Sequence, residues 1–319
     1  MRNTINELYD AELERLIVFG AEYGGGFSNH GPMALEALAS LELPDAFGPY
    51  VTEVSKKLEL TEDVYIGRAD WQSQLQEELP QIVYKAGSQA GHGLLRVAHA
   101  TRALGRHESE IRRRELTAAL GYWSRGTALK SPEALGGTLE LSDLLARLPR
   151  LDAAQRPDGL LVYGLRMAMD EPGVFDLVAS ARPAEDLPAA FDRLALAACA
   201  AQVRNTGLNN FALLHGVTVS MMAAELLPYL HEAAQRRLES AVIGFVVAAV
   251  VAFDDNSVSP DLPKIEAGSE LDILHGLAQK AAAGLNDHDI KFADACTRLY
   301  KRTGSSLPIQ ALALNLGAL

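Results

Sequence analysis

The chain has 319 residues, 48% of them hydrophobic, 22% charged and 6% aromatic, which suits a soluble globular protein able to bury a large core. A formal charge of −12 and the lack of a basic stripe with interleaved aromatics argue against a nucleic-acid partner. The start, MRNTINELYDAELERL, lacks the basic and apolar regions of a signal peptide, and the longest apolar run, 241–253, is shorter than the ~20 residues of a membrane span. A cytoplasmic protein with no membrane partner is therefore expected.

Apolar residues recur at helical spacing almost everywhere, without a convincing run of strand alternation, so the expected fold class is all-α. Helices are expected over 5–19, 32–40, 45–57, 69–85, 90–104, 108–124, 140–147, 151–170, 185–202, 208–230, 232–253, 269–283, 287–302 and 308–315. Pro32, Pro44, Pro132 and Pro188 stand near helix starts, and Gly20, Gly136 and Gly284 near ends, where their backbone preferences suit. LVYG (161–164) is the only strand-like fragment and is too short to count. Two loops break the rhythm, YGGGFSN (23–29) and DDNSVSPDLPK (254–264). Helices on both sides of the second loop carry candidate site residues, so residues 1–319 are expected to form one domain closing around a single core with a buried pocket. No repeat of fixed period is found.

Common catalytic motifs are missing. The chain has no GxxxxGK[ST], and the glycines at 24–26 are not followed by dinucleotide-binding spacing. Gly91–His92–Gly93 is isolated in a chain without a βαβ pattern. His231–Glu232 is followed by Gln235 where a zinc protease needs a second histidine, and no GxSxG elbow exists. Cys199 and Cys296, both in apolar helical contexts, read as buried reduced thiols.

The eight histidines are the remaining chemical signal. His107 and His231 fall in polar segments and read as solvated, while His275 lies on an amphipathic helix and could face either way. His215 lies in NNFALLHGVTVSMMAAELL, apolar on nearly all sides, so its imidazole is expected to be buried. His92 and His99 are seven residues apart on one helical face, with Arg96 between them. His30 and His288 each stand at a helix start, where the positive end of the dipole helps keep an imidazole neutral. Singly, each is a satisfied core histidine; together, on separate helices, they could form a metal site of the kind helical bundles build. Imidazoles suit iron, zinc, copper and nickel alike. Lys291, three residues after His288, either snorkels to water or faces a polar site that wants it.

Several segments, in this order, resemble the questin oxidase-like family: FSNHGPMALEALASL, GHGLLRVAHATRAL, RRRELTAALGYWS, NFALLHGVTVSMMAAELLPYL and NDHDIKFADACTRLY. The matching blocks run from about residue 10 to 302, and 130–185 match weakly. The resemblance implies an α-helical oxygenase of secondary metabolism acting on aromatic polyketides, typically opening an anthraquinone-type ring. Some members are described as NADPH-dependent Baeyer–Villiger-type enzymes without flavin. At least one relative is described as a non-haem iron dioxygenase whose iron is held by four histidines and a carboxylated lysine. Mapped here, that pattern implies His30, His92, His215 and His288 as ligands of Fe(II) and Lys291 as the carboxylated lysine, with His99 a reserve ligand or a base. Asn29 and Arg96 would orient a histidine, a substrate hydroxyl or an oxyanion, against the plainer roles of helix cap and ion pair. Tyr122 and Trp123 would stack on a planar substrate or simply pack in the core.

The expected function is thus oxidation by O2 of a small aromatic substrate beside iron. Two alternatives stand: a metal-free NADPH-dependent monooxygenase using the histidines as acid–base groups, and a non-catalytic helical protein that binds an aromatic metabolite. The last predicts histidines that point apart. This chain also lacks the longer insertions associated with fungal members, so a smaller or differently shaped substrate, or another metal, fits it as well.

Overall fold

The computed structural model describes residues 2–156, 159–205, 208–255 and 268–318. Among these the chain is all-α, with fifteen α-helices and one two-stranded hairpin. The first third holds α1 (Arg2–Leu16), the hairpin β1 (Glu22–Tyr23) and β2 (Phe27–Ser28), α2 (Gly31–Ser40), α3 (Phe47–Ser55), α4 (Trp71–Ile82), α5 (His92–Arg106) and α6 (Glu110–Arg125). The short α7 (Leu141–Ala146), α8 (Leu161–Asp170) and α9 (Val174–Ala179) follow. The remainder is α10 (Leu187–Arg204), α11 (Leu208–Ala223), α12 (Glu232–Phe253), α13 (Glu270–Gly284), α14 (Asp287–Thr303) and α15 (Leu307–Asn315).

Where expectation and structure differ, local backbone chemistry explains most of it. The three glycines at 24–26 all take positive φ, which lets Tyr23 and Phe27 pair across a tight turn instead of forming an open loop. LVYG is the first turn of α8, because Leu161 and Leu165 fall on one helical face and Leu165 is buried. The helix expected over 151–170 is a 3-10 turn at Ala153–Gln155 followed by α8. Two helices end in a 3-10 turn, α4 at Val83–Lys85 and α11 at Ala224–Tyr229. Pro132 and Gly136 lie outside any helix: Pro132 O accepts from Ser240 and Gly136 N donates to Ala179 O. The helix α9 has no strong periodic signal of its own and is only six residues long. Of the loop 254–264, residues 256–264 lie outside the described residues.

The apolar interior falls into three clusters rather than one core. One gathers α1, α2 and α3 around Leu13, Leu35 and Tyr50. A second joins α10, α11, α14 and α15 around Cys199, Phe292 and Leu312. The largest surrounds α5, α6, α8 and α12. Asn210–Tyr229 is long and apolar enough to cross a membrane by length and composition, and 78% of that window is buried inside the fold.

The arrangement that matters for chemistry is a ring of four helices. α2 packs on α5 and α14, and α11 packs on the same two. A charged network ties three of them together. Glu36 of α2 is fully buried and bonded by Arg102 and Arg106 of α5, and Arg102 also donates to Asp294 of α14 at 2.7 Å. Removing one member of such a buried ionic cluster costs about 3–5 kcal/mol, since a charge is left unpaired. This network ties together α2, α5 and α14, three of the four helices that bring histidines to the ring.

Candidate metal centre

Each helix of the ring brings one imidazole to a common point, and the local sequence explains how. His30 precedes α2, whose start is built by Asn29: its Oδ1 accepts from Gly31 N at 2.9 Å and Pro32 follows in the first turn. His288 stands in the first turn of α14, capped by Asn286 Oδ1, which accepts from the N–H groups of His288 and Asp289.

His92 opens α5 after an unusual backbone stretch. Gln89, Ala90 and Gly91 have φ of 45°, 56° and 87°, a left-handed run that turns the Gln89 carbonyl onto His92 Nδ1. The glycines flanking His92 are both required by space. A Cβ on Gly91 would meet Val219 Cγ2 at 2.4 Å, and one on Gly93 would meet the Trp123 ring at 2.5 Å. His215 lies within α11, its Nδ1 3.0 Å from Phe211 O one turn earlier.

The four rings form one cluster. His30 stacks on His92 at 4.5 Å between centroids and meets His288 edge-on at 4.4 Å, while His215 lies 5.1 Å from both His92 and His288. One nitrogen each from His30, His92 and His288 lie within 4.8 Å of one another. His92 Nε2 and His215 Nε2 are 3.3 Å apart. His30, His92 and His215 are buried, and the His288 side chain is 12% exposed. Lys291 is 2% exposed, so it does not snorkel; its Nζ has no hydrogen-bond partner among the described residues.

Electrostatics keeps the cluster uncharged. Burial holds the imidazole pKa of His30 down to about 3 and that of His288 to about 4, with Lys291 lowering both further and Asp287 opposing. Burial and neighbouring imidazoles likewise hold His92 and His215 well below the usual histidine range. Burial brings the Lys291 ammonium down to about 8, against the pull of Asp287.

These residues fit a bound metal. A carbonyl oxygen only accepts, so His92 and His215 carry hydrogen on Nδ1 and direct Nε2 lone pairs inward. Two lone pairs 3.3 Å apart in a buried site repel unless a cation lies between their owners. The Nε2 atoms of His30 and His288 are also buried without partners. Three orphaned nitrogens, counting Lys291 Nζ, around one neutral cluster is the pattern expected of a ligand set.

The other expected site residues have partners elsewhere. Asn29 Nδ2 donates to Gly20 O, and its Oδ1 caps α2, so it shapes the entry to His30 and neither end is free to hold substrate. Arg96 is 3% exposed and forms a two-pronged pair with Glu115 at 2.7 and 2.9 Å. His99 Nδ1 bonds Glu36 at 2.5 Å and so belongs to the charged network. None of the three hydrogen-bonds to a cluster histidine or to Lys291, which replaces the orienting roles expected of them with packing roles. Trp123 is buried, donating Nε1 to Lys85 O, and Tyr122 shares a hydrogen bond with Ser28 at 2.6 Å; both are core residues. His107, His231 and His275 are exposed, and His231 caps α12. Both cysteines are buried and free.

Two residues at the centre escape sequence reasoning. Asp287 Oδ1 lies 2.9 Å from His30 Nδ1 and 2.7 Å from His288 Nδ1. Its only sequence signal is its place beside His288 in NDHDIK. Phe211, one turn before His215, sets its ring 4.4 Å from His288 and 5.4 Å from His215. It stands at a cavity of about 350 Å³ that opens beside His288 between α11, α14 and α15. Among the described residues, Val203, Leu214 and Leu314 form apolar wall, asparagines such as Asn205 and Asn210 supply amides, Asp289 supplies a carboxylate, and no Lys or Arg lines it.

Comparison with family models, curated proteins and solved structures gives no match to this chain.

Proposed function

We propose that this chain is a metal-dependent oxygenase of the questin oxidase-like kind, holding non-haem iron and oxidising a small, uncharged aromatic molecule with O2. The observation that carries the reading is the clustering of four buried, neutral imidazoles beside the orphaned Nζ of Lys291, whose charge acts on all four rings. His30, His92, His215 and His288 would hold the metal through Nε2, and Lys291 would complete the set. Ferrous iron bound there would supply the electron transfer to O2 that a spin-paired aromatic substrate cannot readily make.

The protein's own contributions follow from its residues. Burial, at a pKa of about 8, leaves about a tenth of Lys291 as free amine at neutral pH, and that fraction can add CO2 at Nζ and lose a proton. The carbamate so formed offers anionic oxygen where an ammonium offers none. Backbone carbonyls at His92 and His215, and the carboxylate of Asp287, orient the rings. The cavity beside His288 gives a small molecule a route to the centre, and its walls of apolar groups and amides, with the Asp289 carboxylate engaged by Asn315, suit an uncharged ligand.

Those walls favour this reading over the NADPH-dependent alternative, since nucleotide phosphates would find no cationic partner among the described cavity residues. Against the non-catalytic alternative stands the convergence of the rings. The test is elemental analysis of protein purified without a metal-affinity column, beside a Lys291→Ala control. About one iron per chain, lost in the control, supports the reading. No stoichiometric metal, even after ferrous iron and bicarbonate are supplied, overturns it.

A further inference from the structure

The carboxylate of Asp287 occupies a position that neither a helix cap nor a surface ion pair explains. It is 7% exposed, and three donors from three parts of the chain meet on it. His30 Nδ1 and His288 Nδ1 share Oδ1, at 2.9 and 2.7 Å, while Lys57 Nζ, just beyond α3, donates to Oδ2 at 3.0 Å. The Lys57 side chain is 46% exposed. An ionised carboxylate can only accept. Both imidazoles must therefore carry hydrogen on Nδ1, and each keeps its lone pair on the inward Nε2, the atom left without a partner in both rings. One side chain thus sets the tautomer of two histidines on two different helices, and a cation reaching in from the surface anchors its far oxygen.

We propose that Asp287 is the positioning residue of the histidine cluster, and that Lys57 is what makes the carboxylate, rather than an amide, necessary there. An asparagine at 287 has one accepting oxygen and one donating nitrogen, and Lys57 only donates. If the amide oxygen turns to Lys57, its NH2 faces the imidazoles and takes their Nδ1 lone pairs, which moves hydrogen to Nε2 and blocks ligation. If the oxygen turns to the imidazoles, the NH2 meets an ammonium. Removing Lys57 as well ends the conflict, and the amide oxygen can face the rings. A solvent-reaching lysine therefore decides whether a neutral side chain can replace a buried carboxylate.

The consequence for metal affinity rests on the proposed function; the tautomer assignment does not. Two readouts separate them. The first is the nitrogen-15 spectrum of the chain labelled at histidine and treated with chelator. It is expected to show Nδ1–H at His30 and His288 in the wild type and Nε2–H in Asp287→Asn. The second is the dissociation constant for cobalt(II), used as the probe metal, by equilibrium dialysis. Asp287→Asn is expected to weaken binding about 10- to 100-fold. Lys57→Met alone should change it less than about threefold, and the double variant should recover most of the loss. A merely structural role for Asp287 predicts no such rescue. Unchanged tautomers in Asp287→Asn, or a double variant as weak as the single one, overturn the proposal. A wild type with Nδ1–H at both rings that binds no cobalt leaves Asp287 its positioning role and overturns the metal centre instead.

Discussion

Lys291 follows His288 by one turn on α14, and both side chains reach the same buried cluster from one face of that helix. A lysine so placed has no hydrogen-bond partner among the described residues and is nearly inaccessible to water. Its burial is a cost to the fold of the kind that marks a candidate functional site.

That cost has a pH signature. The pKa of Lys291 is about 8 in the folded chain against an ordinary 10.5, so between these values the unfolded chain holds a proton that the folded chain has lost. Stability therefore rises with pH across this window, and the penalty, about 3 kcal/mol, is fully present below it. In chelator-treated protein, Lys291→Met is expected to be more stable than wild type at pH 7 by up to that amount. The gap should close towards pH 10 in urea titrations; a variant no more stable at pH 7 contradicts the burial argument.

The histidines act in the opposite pH range with the same sign. His30 at about 3 and His288 at about 4 stay neutral while an unfolded imidazole binds a proton below 6.5. Stability of the metal-free chain should fall as pH drops from 6.5 towards 4, by about 3 kcal/mol for each of these groups. The difference in urea midpoint between pH 7.5 and pH 4.5 should shrink in His30→Gln and in His288→Gln. An unchanged difference would mean that these rings are not held neutral.

His99 and His215 separate structural from metal-binding imidazoles. His215→Ala should lower cobalt(II) stoichiometry while leaving the helical circular dichroism intact. His99→Gln removes a hydrogen bond to the buried carboxylate of Glu36 and should cost about 1–3 kcal/mol, with Arg102 and Arg106 still in place and metal content unchanged. Loss of metal in His99→Gln would place it in the centre after all.

Gly93 tests how closely α5 must approach α6. A methyl group there would lie 2.5 Å from Trp123, so Gly93→Ala should destabilise the chain by about 1–3 kcal/mol and disturb the adjacent His92. The pairing Gly93→Ala with Trp123→Phe should recover part of that loss in thermal unfolding, because the smaller ring yields space. No recovery would point to helix propensity or backbone effects at Gly93 in place of crowding.

Much of the molecule is local and so legible in sequence. Helical periodicity, caps such as Asn286 and the starts at Pro32 and Pro188 are set by neighbours within a turn or two, and they locate most of the helices to within a few residues. The same reasoning set apart His30, His92, His99, His215 and His288 from the solvated histidines, and the resemblance to the questin oxidase-like family implied which four of them would be ligands. Distant contacts are not visible in the sequence. His92 and His99 share a face of α5 and differ only in what α2 and α14 bring against them: an open cluster for one, Glu36 for the other. Lys291 could reach water or the interior until the packing of α14 on α2 and α11 closed the first route. Asp287 looks like an ordinary acidic residue of a helix's first turn, and Lys57 like surface charge. Only folding, which brings position 57, position 30 and position 287 to one carboxylate, decides that the three act together.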